Sequence, residues 1–113
     1  MDDPSLPEDP SFREALEFMG DPDRLLPGEE PGTQYVDDAH HWLNVYAELL
    51  RFKDELLATV QRAGEGARHA SQPEVNADLA LMEAERSRLA TRTQYWRDRL
   101  RHLGSAKTRA KPG

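Results

Sequence analysis

The second half of the chain carries apolar residues at heptad spacing, with successive steps of four and three residues. Nine positions form this series, and seven of them are apolar. They are Val75, Leu79, Met82, Arg86, Leu89, Thr93, Trp96, Leu100 and Leu103. A mean step of 3.5 residues places them along one side of a long α-helix. Because one helix cannot bury such a stripe alone, the pattern requires a packing partner.

A second helical segment, from about residue 36 to 63, supplies that partner. Gly64-Glu65-Gly66 predicts its end, and the capping box Ser71-Gln72-Pro73-Glu74 predicts the start of the next helix, over residues 72–103. The short connection favours antiparallel helices. The sequence therefore predicts an all-α fold, with an antiparallel two-helix coiled-coil hairpin over residues 35–104.

A turn centred near residue 69 pairs apolar residues of the two helices, for example Trp42 with Trp96. The predicted hairpin seam consists of Trp42, Tyr46, Leu49, Phe52, Leu56, Val60, Leu79, Met82, Leu89, Trp96 and Leu100. The same register makes Lys53 and Arg86 a polar part of the seam. One interpretation is that both side chains snorkel and are answered by nearby acids. The other is an anion site or a polar pin of the register.

The apolar face of the first helix is broader than one seam needs. Since a hairpin of about 70 residues has a thin core, the surplus predicts dimerisation into a four-helix bundle, or docking onto another protein. The predicted association face consists of Leu43, Leu50 and Leu57.

Segment 1–34 holds ten acidic residues, two arginines and six of the eight prolines. Such a composition predicts a mostly disordered acidic arm. Within it, Ser11 and Glu14 match a capping box and residues 11–19 predict a short amphipathic helix. Either this helix folds on the groove of a partner, or it is transient and has no partner. Its apolar face consists of Phe12, Leu16 and Met19. Residues 105–113 are predicted to be a disordered basic tail.

Several classes of function are disfavoured by what the sequence lacks. The chain has no cysteine, which excludes disulfides and thiol chemistry and fits a reducing cytoplasm. No apolar run reaches the ~18 residues of a membrane span, and no signal-peptide pattern is present. We therefore expect a cytoplasmic protein without catalytic activity or cofactor. The metal-like cluster Asp37, Asp38, His40 and His41 offers too few ligands, so no metal is expected.

The end of the second helix is basic. Nine basic residues and one acid lie between Arg86 and Lys111, with Tyr95 and Trp96 among them. Basic residues with interleaved aromatics can bind nucleic acid. The acidic arm opposes this binding, and it can instead mask the basic helix within the molecule.

Two family resemblances follow from these helices. Residues 42–57 and 83–100, the latter with Tyr95-Trp96-Arg97, resemble a group of uncharacterised helical-hairpin proteins of high-GC bacteria. That resemblance implies a bacterial hairpin protein and no particular activity.

The second helix also resembles RsiG-type anti-sigma factors, whose helices carry the cyclic-di-GMP motif E-x3-S-x2-R-x3-Q-x3-D. Four positions match, and Ala90 stands where the motif has arginine. The matching residues are Glu83, Ser87, Gln94 and Asp98. The resemblance implies a transcription regulator that binds cyclic-di-GMP, although the missing arginine removes the planar cation suited to guanine or phosphate.

Taken together, the residues favour a non-catalytic protein–protein interaction or regulatory adaptor module that binds itself or another protein. The alternatives are an anti-sigma-type regulator and a nucleic-acid-binding protein using the arginine-rich end of the second helix. A small-molecule ligand is not expected.

Overall fold

The computed structural model describes residues 9–66 and 72–105, and these residues form three α-helices. α1 spans Pro10–Gly20, α2 spans Val36–Gly66 and α3 spans Gln72–Ser105. α3 packs against both α1 and α2. The all-α class predicted from hydrophobic periodicity is therefore confirmed. Most of the predicted helix connection and of the basic tail lies outside the described residues.

The start of α2 is fixed by side chains at its first turn. Asp37 and Asp38 lie there, next to free backbone amides and the positive end of the helix dipole. The Thr33 hydroxyl accepts the N–H of Tyr35 at 3.2 Å and donates to Asp38 at 2.8 Å. α2 then continues to Gly66, beyond its predicted end near residue 63.

The arm is folded, so the prediction of disorder is wrong for residues 9–34. Asp9 caps α1 by accepting the N–H of Ser11 at 2.9 Å, and Pro10 follows it, where the missing amide is not needed. The helix therefore starts from Asp9 rather than from the Ser11–Glu14 capping box. From Asp21 to Tyr35 the chain runs as turns and loop, and Glu29 and Thr33 within it are buried.

The predicted partner-docking face of α1 lies within the fold. Its residues Phe12, Leu16 and Met19 are half-buried, and α1 packs on α3 of the same chain. A Cβ atom placed on Gly20 would lie 3.4 Å from that of Ala84, so the two helices approach closely there. The two interpretations of this short helix, an external groove and no partner at all, did not name α3, although the masking considered for the acidic arm as a whole placed the arm on that helix.

The core lies between α2 and α3. Tyr46 and Trp96 are completely buried. Ala39, Leu89 and Leu103 complete the buried cluster. Four residues of the heptad series in α3 thus face inward: Leu89, Thr93, Trp96 and Leu103.

The face that α2 turns inward differs from the predicted one. The supposed association face is covered, because Leu43 and Leu50 pack against the core and Leu57 is buried. Conversely, three residues assigned to the seam are exposed: Leu49 by 39%, Phe52 by 63% and Leu56 by 37%. These assignments are therefore wrong.

The error has a geometric cause. The residues of α2 fit two heptad frames one residue apart, and both frames contain Tyr46, Lys53 and Val60. One frame adds Leu49 and Leu56, and the other adds residues 43, 50 and 57. Because the frames share these positions and differ by one residue at the others, the centres of the two stripes lie only about 50° apart around the helix, and periodicity cannot choose between them.

No helix among the described residues is both long enough and apolar enough to cross a membrane.

Candidate functional site

Two consecutive proline–glycine turns shape the loop between α1 and α2. In the first, Glu29 N–H donates to the Leu26 carbonyl at 3.0 Å, and Gly28 has φ of +83°. A positive φ at the third turn residue favours glycine, and proline suits the second position. In the second turn, Thr33 N–H donates to the Glu30 carbonyl at 3.0 Å. The turns point the Glu29 side chain into the protein.

The Glu29 carboxylate is the centre of a buried polar cluster. One oxygen accepts the N–H of Leu26 at 2.9 Å and the hydroxyl of Tyr46. The other accepts the Trp96 indole N–H at 2.8 Å and the Arg92 guanidinium. The Glu29 side chain is 0% exposed and that of Arg92 is 7% exposed. This cluster, which we call the clasp, joins the arm to both α2 and α3.

The clasp changes the acid–base behaviour of its members. Burial raises the pKa of Glu29, but hydrogen bonds from Tyr46, Leu26, Arg92 and Trp96 together lower it below its ordinary value. Burial and the Glu29 carboxylate raise the pKa of Tyr46. Glu29 is therefore held ionised and Tyr46 neutral, as a hydrogen bond from the hydroxyl to the carboxylate requires.

A dependence of stability on pH follows from the lowered pKa of Glu29. A carboxyl group with a lowered folded-state pKa stabilises the protein above its unfolded-state pKa, near 4.5. That contribution is lost as pH falls through the folded-state value. We expect the urea midpoint of the wild type to fall more steeply below pH 4.5 than that of Glu29→Gln. Glu30→Gln, altered at the exposed neighbour, should follow the wild type. Parallel curves for all three proteins would contradict the expectation.

A row of side chains on α3 binds the arm along its length. Arg88 donates to the Arg24 carbonyl at 3.1 Å, Arg92 to Glu29, and Tyr95 to the Pro31 carbonyl. Arg99 donates to the Gly32 carbonyl at 3.2 Å and the Thr33 carbonyl at 2.7 Å. Successive residues of the row therefore contact successive points of the arm. We call this row the arm-binding face; it consists of Arg88, Arg92, Tyr95 and Arg99.

Two atoms of this face are buried without a hydrogen-bond partner, Nε of Arg88 and Nε of Arg92. Burial, and then the nearby Arg24 cation, lower the pKa of Arg88. The Arg92 guanidinium lies 4.6 Å from the centre of the Tyr95 ring. The arm thus leaves one hydrogen-bond donor of each of these two arginines without an acceptor.

Sequence reasoning missed Glu29 and the arm-binding face, although a signal for the face exists. Its four residues follow steps of four, three and four, one position before Leu89, Thr93, Trp96 and Leu100 of the apolar series. α3 therefore carries two adjacent stripes, an apolar one toward α2 and a basic–aromatic one toward the arm. The second stripe contains no aliphatic residue, so a search for apolar periodicity passes over it.

A second feature is an exposed apolar surface on α2. A shallow groove of about 540 Å³ lies along this helix. It is lined by His41, Asn44, Val45, Glu48, Leu49 and Phe52. Leu56, one turn beyond Phe52, is also exposed. We call Val45, Leu49, Phe52 and Leu56 the α2 stripe.

The polar seam residues lie in different surroundings. Lys53 is largely buried and pairs with the nearby acid Glu85 at 3.0 Å. Arg86 is 45% exposed and pairs with Asp54 at 2.6 Å. Arg86 therefore lies at the exposed edge between α2 and α3. The Arg86–Asp54 and Lys53–Glu85 ion pairs both join α2 to α3. They support the interpretation in which the two cations snorkel and nearby acids answer them.

Two residues of the metal-like cluster at the start of α2 make local contacts within the protein. Asp38 binds Thr33, and the His41 ring lies edge-on to Trp42 at 4.8 Å. Among the described residues, no three His, Cys, Asp or Glu side chains lie together as a metal site requires.

The four residues that match the cyclic-di-GMP motif lie on an exposed side of α3. The Gln94 amide donates to Asp98 at 2.8 Å, so two of them contact each other. Of the arginines at the basic end of α3, Arg88, Arg92 and Arg99 are engaged by the arm. The acidic arm therefore covers these arginines, and a nucleic acid that bound them would have to displace it.

Comparison with known proteins adds no relative, since no protein family, curated protein or solved structure matches the chain.

Proposed function

We propose that the protein is a non-catalytic protein–protein interaction module, in which an antiparallel hairpin of α2 and α3 presents the α2 stripe to a second copy of the chain. The observation that carries the proposal is the exposed apolar groove on α2, where Phe52 is 63% exposed. Exposed apolar surface of this kind marks interaction sites. The dimer would then be a four-helix bundle with two arms outside it.

The antiparallel arrangement is supported by the order of contacts between the helices. Lys53 of α2 pairs with Glu85 of α3. Seven residues earlier in α2, the Tyr46 ring lies 5.7 Å from the guanidinium of Arg92, seven residues later in α3. Contacts that move backward along one helix while moving forward along the other are those of an antiparallel pair.

A second copy is the occupant that the α2 stripe fits best. The spacings between its successive residues are four, three and four, so the pattern is the same from either end of the helix. In an antiparallel pair of α2 helices, Leu49 of one copy therefore faces Phe52 of the other, and Val45 faces Leu56. Every apolar side chain of the stripe obtains an apolar neighbour without any change in the helix.

The charges beside the stripe permit this approach. Arg51 binds Glu48 at 2.8 Å and Glu55 at 3.5 Å within the same helix. One net negative charge per copy remains in this group, and it is exposed to screening by salt. A stable interface buries about 800 Å² per partner, more than four side chains supply. We therefore expect a weak dimer, with a dissociation constant on the order of 10 µM.

The substitution Phe52→Glu tests the proposal. It places a carboxylate at the centre of the paired stripes, so the dimer should dissociate at least tenfold more readily than the wild type. Gln61→Glu is the matched control, because residue 61 is exposed and lies 2.5 helical turns further along α2, on its opposite side. Light scattering after size exclusion, from 5 to about 200 µM, measures the mass.

Two results would refute the dimer. One is a wild-type mass equal to that of the monomer at every concentration. The other is a dimer that Phe52→Glu and Gln61→Glu leave equally intact, which would place the contact elsewhere on the molecule.

A further inference from the structure

The arm-binding face has the properties of a peptide-binding surface. Its four residues span twelve positions of α3, or about 16 Å along the helix. Three of them donate to backbone carbonyls of the arm, a contact that any peptide can provide. Arg92 binds a carboxylate, and this contact demands an acidic residue. The face therefore combines binding of backbone carbonyls presented by two turns with selection for one carboxylate.

We propose that the arm-binding face is a docking site for an acidic, turn-containing peptide segment of another protein, and that the arm is its resident occupant. The charges of the face support this partner. Three arginines line the face, whereas the arm sets the carboxylate of Glu29 against Arg92 and backbone carbonyls against Arg88 and Arg99. A segment with acids opposite all three would form two more charge-assisted hydrogen bonds.

The unpartnered atoms of the face also favour an acidic partner. Nε of Arg88 and Nε of Arg92 are buried beneath the arm without an acceptor. Buried donors are nearly always satisfied in native proteins. A carboxylate that reaches the edge of either guanidinium would satisfy a donor that the arm leaves unmatched.

The proposal requires the arm to leave the face, which breaks the clasp, while α2 and α3 stay packed on each other. Every side chain of α1 is exposed or half-buried, and α1 packs on α3 from outside. Tyr46, Leu89 and Trp96 lie in the buried cluster of α2 and α3. An incoming peptide competes with a tethered arm of high effective concentration, so occupancy depends on weakening the arm or on a better match to the arginines.

The experiment measures binding of a labelled synthetic peptide with the sequence of residues 21–35 to full-length protein, by fluorescence anisotropy. The variant Glu29→Gln removes the charge that anchors the arm and leaves α3 unchanged. We expect it to bind the peptide at least tenfold more tightly than the wild type does. Glu30→Gln makes the same change at the exposed neighbour and should behave as the wild type. Replacing Arg92 by Met in the Glu29→Gln protein should abolish the gain.

A second measurement uses the wild type alone and does not depend on the stability of the variant. An unlabelled peptide of residues 21–35 with Arg24→Glu and Gly32→Glu, which sets acids opposite Arg88 and Arg99, is added in excess to ¹⁵N-labelled protein, and amide hydrogen exchange is followed. The turn amides of Glu29 and Thr33 should lose at least tenfold in protection, while amides in the middle of α2 and α3 keep theirs.

The proposal fails if a folded Glu29→Gln protein binds the peptide no better than the wild type. It also fails if excess peptide leaves the exchange of the turn amides unchanged. A third arm of the experiment uses a labelled single-stranded oligonucleotide. Tighter binding of the oligonucleotide than of the peptide by the Glu29→Gln protein would assign the face to nucleic acid and overturn the proposal.

Discussion

Replacing Trp96 with alanine is expected to lower the free energy of unfolding by about 3–5 kcal/mol. The indole is completely buried and belongs to the central cluster with Tyr46 and Leu89. Its removal leaves a cavity between α2 and α3 and takes away one donor to Glu29, at 2.8 Å. Urea unfolding followed by circular dichroism, at a concentration below that of the proposed dimer, measures the loss.

Trp42 provides the matched control, because it is the other tryptophan of the chain and is half-buried. Trp42→Ala removes the same atoms from the edge of the core, so we expect less than half the loss. Equal losses at both positions would contradict the central role of Trp96 and would favour a core centred on the predicted Trp42–Trp96 pair.

Replacing Arg92 with methionine is expected to cost about 3 kcal/mol, because it leaves the Glu29 carboxylate buried without its cation. The guanidinium and the carboxylate have 7% and 0% of their side chains exposed, so water cannot readily replace the lost contact. Methionine keeps much of the apolar volume of the stem, which separates the charge effect from a cavity effect. Arg97→Met, at an exposed position of the same helix, should change stability by less than about 0.5 kcal/mol.

A double-mutant cycle completes the test of the clasp. Glu29→Gln together with Arg92→Met removes both charges, so the double variant should be at least about 1 kcal/mol more stable than the sum of the single losses predicts. Strictly additive losses would mean that the two side chains do not stabilise each other. The same cycle separates the clasp from the α2 stripe, since neither residue belongs to that stripe.

The helices α2 and α3 could be foreseen from local pattern. Their apolar periodicity and the residues at their ends are properties of short stretches of chain, and the observed spans differ from the predicted ones by a few residues. The inward position of Leu89 and Trp96 follows from the single clear heptad frame of α3. α2 offered two frames of equal quality, and its pattern held no information to separate them.

The arm shows a different limit of sequence reasoning. Its acidity and its prolines predict disorder because they leave little apolar surface to bury. In the fold, the prolines build turns, and backbone carbonyls that would otherwise face water accept hydrogen bonds from Arg88 and Arg99. Each such bond joins residues more than 60 positions apart, and composition does not record these pairings.

The sequence by itself determined the helical class, the approximate extent of α2 and α3, and the stripe that α3 turns toward α2. These follow from the 3.6-residue period of the helix, which is a local property. The tertiary structure decided which face of α2 is buried and whether the arm folds. Both involve contacts between residues far apart in the chain, as in the clasp, where Glu29 meets Tyr46, Arg92 and Trp96 across separations of 17 to 67 residues. Tyr46 belongs to both heptad frames of α2, so local spacing leaves the choice of buried face to packing: Leu43 and Leu50 pack against the core and Leu57 is buried, which leaves Leu49, Phe52 and Leu56 exposed.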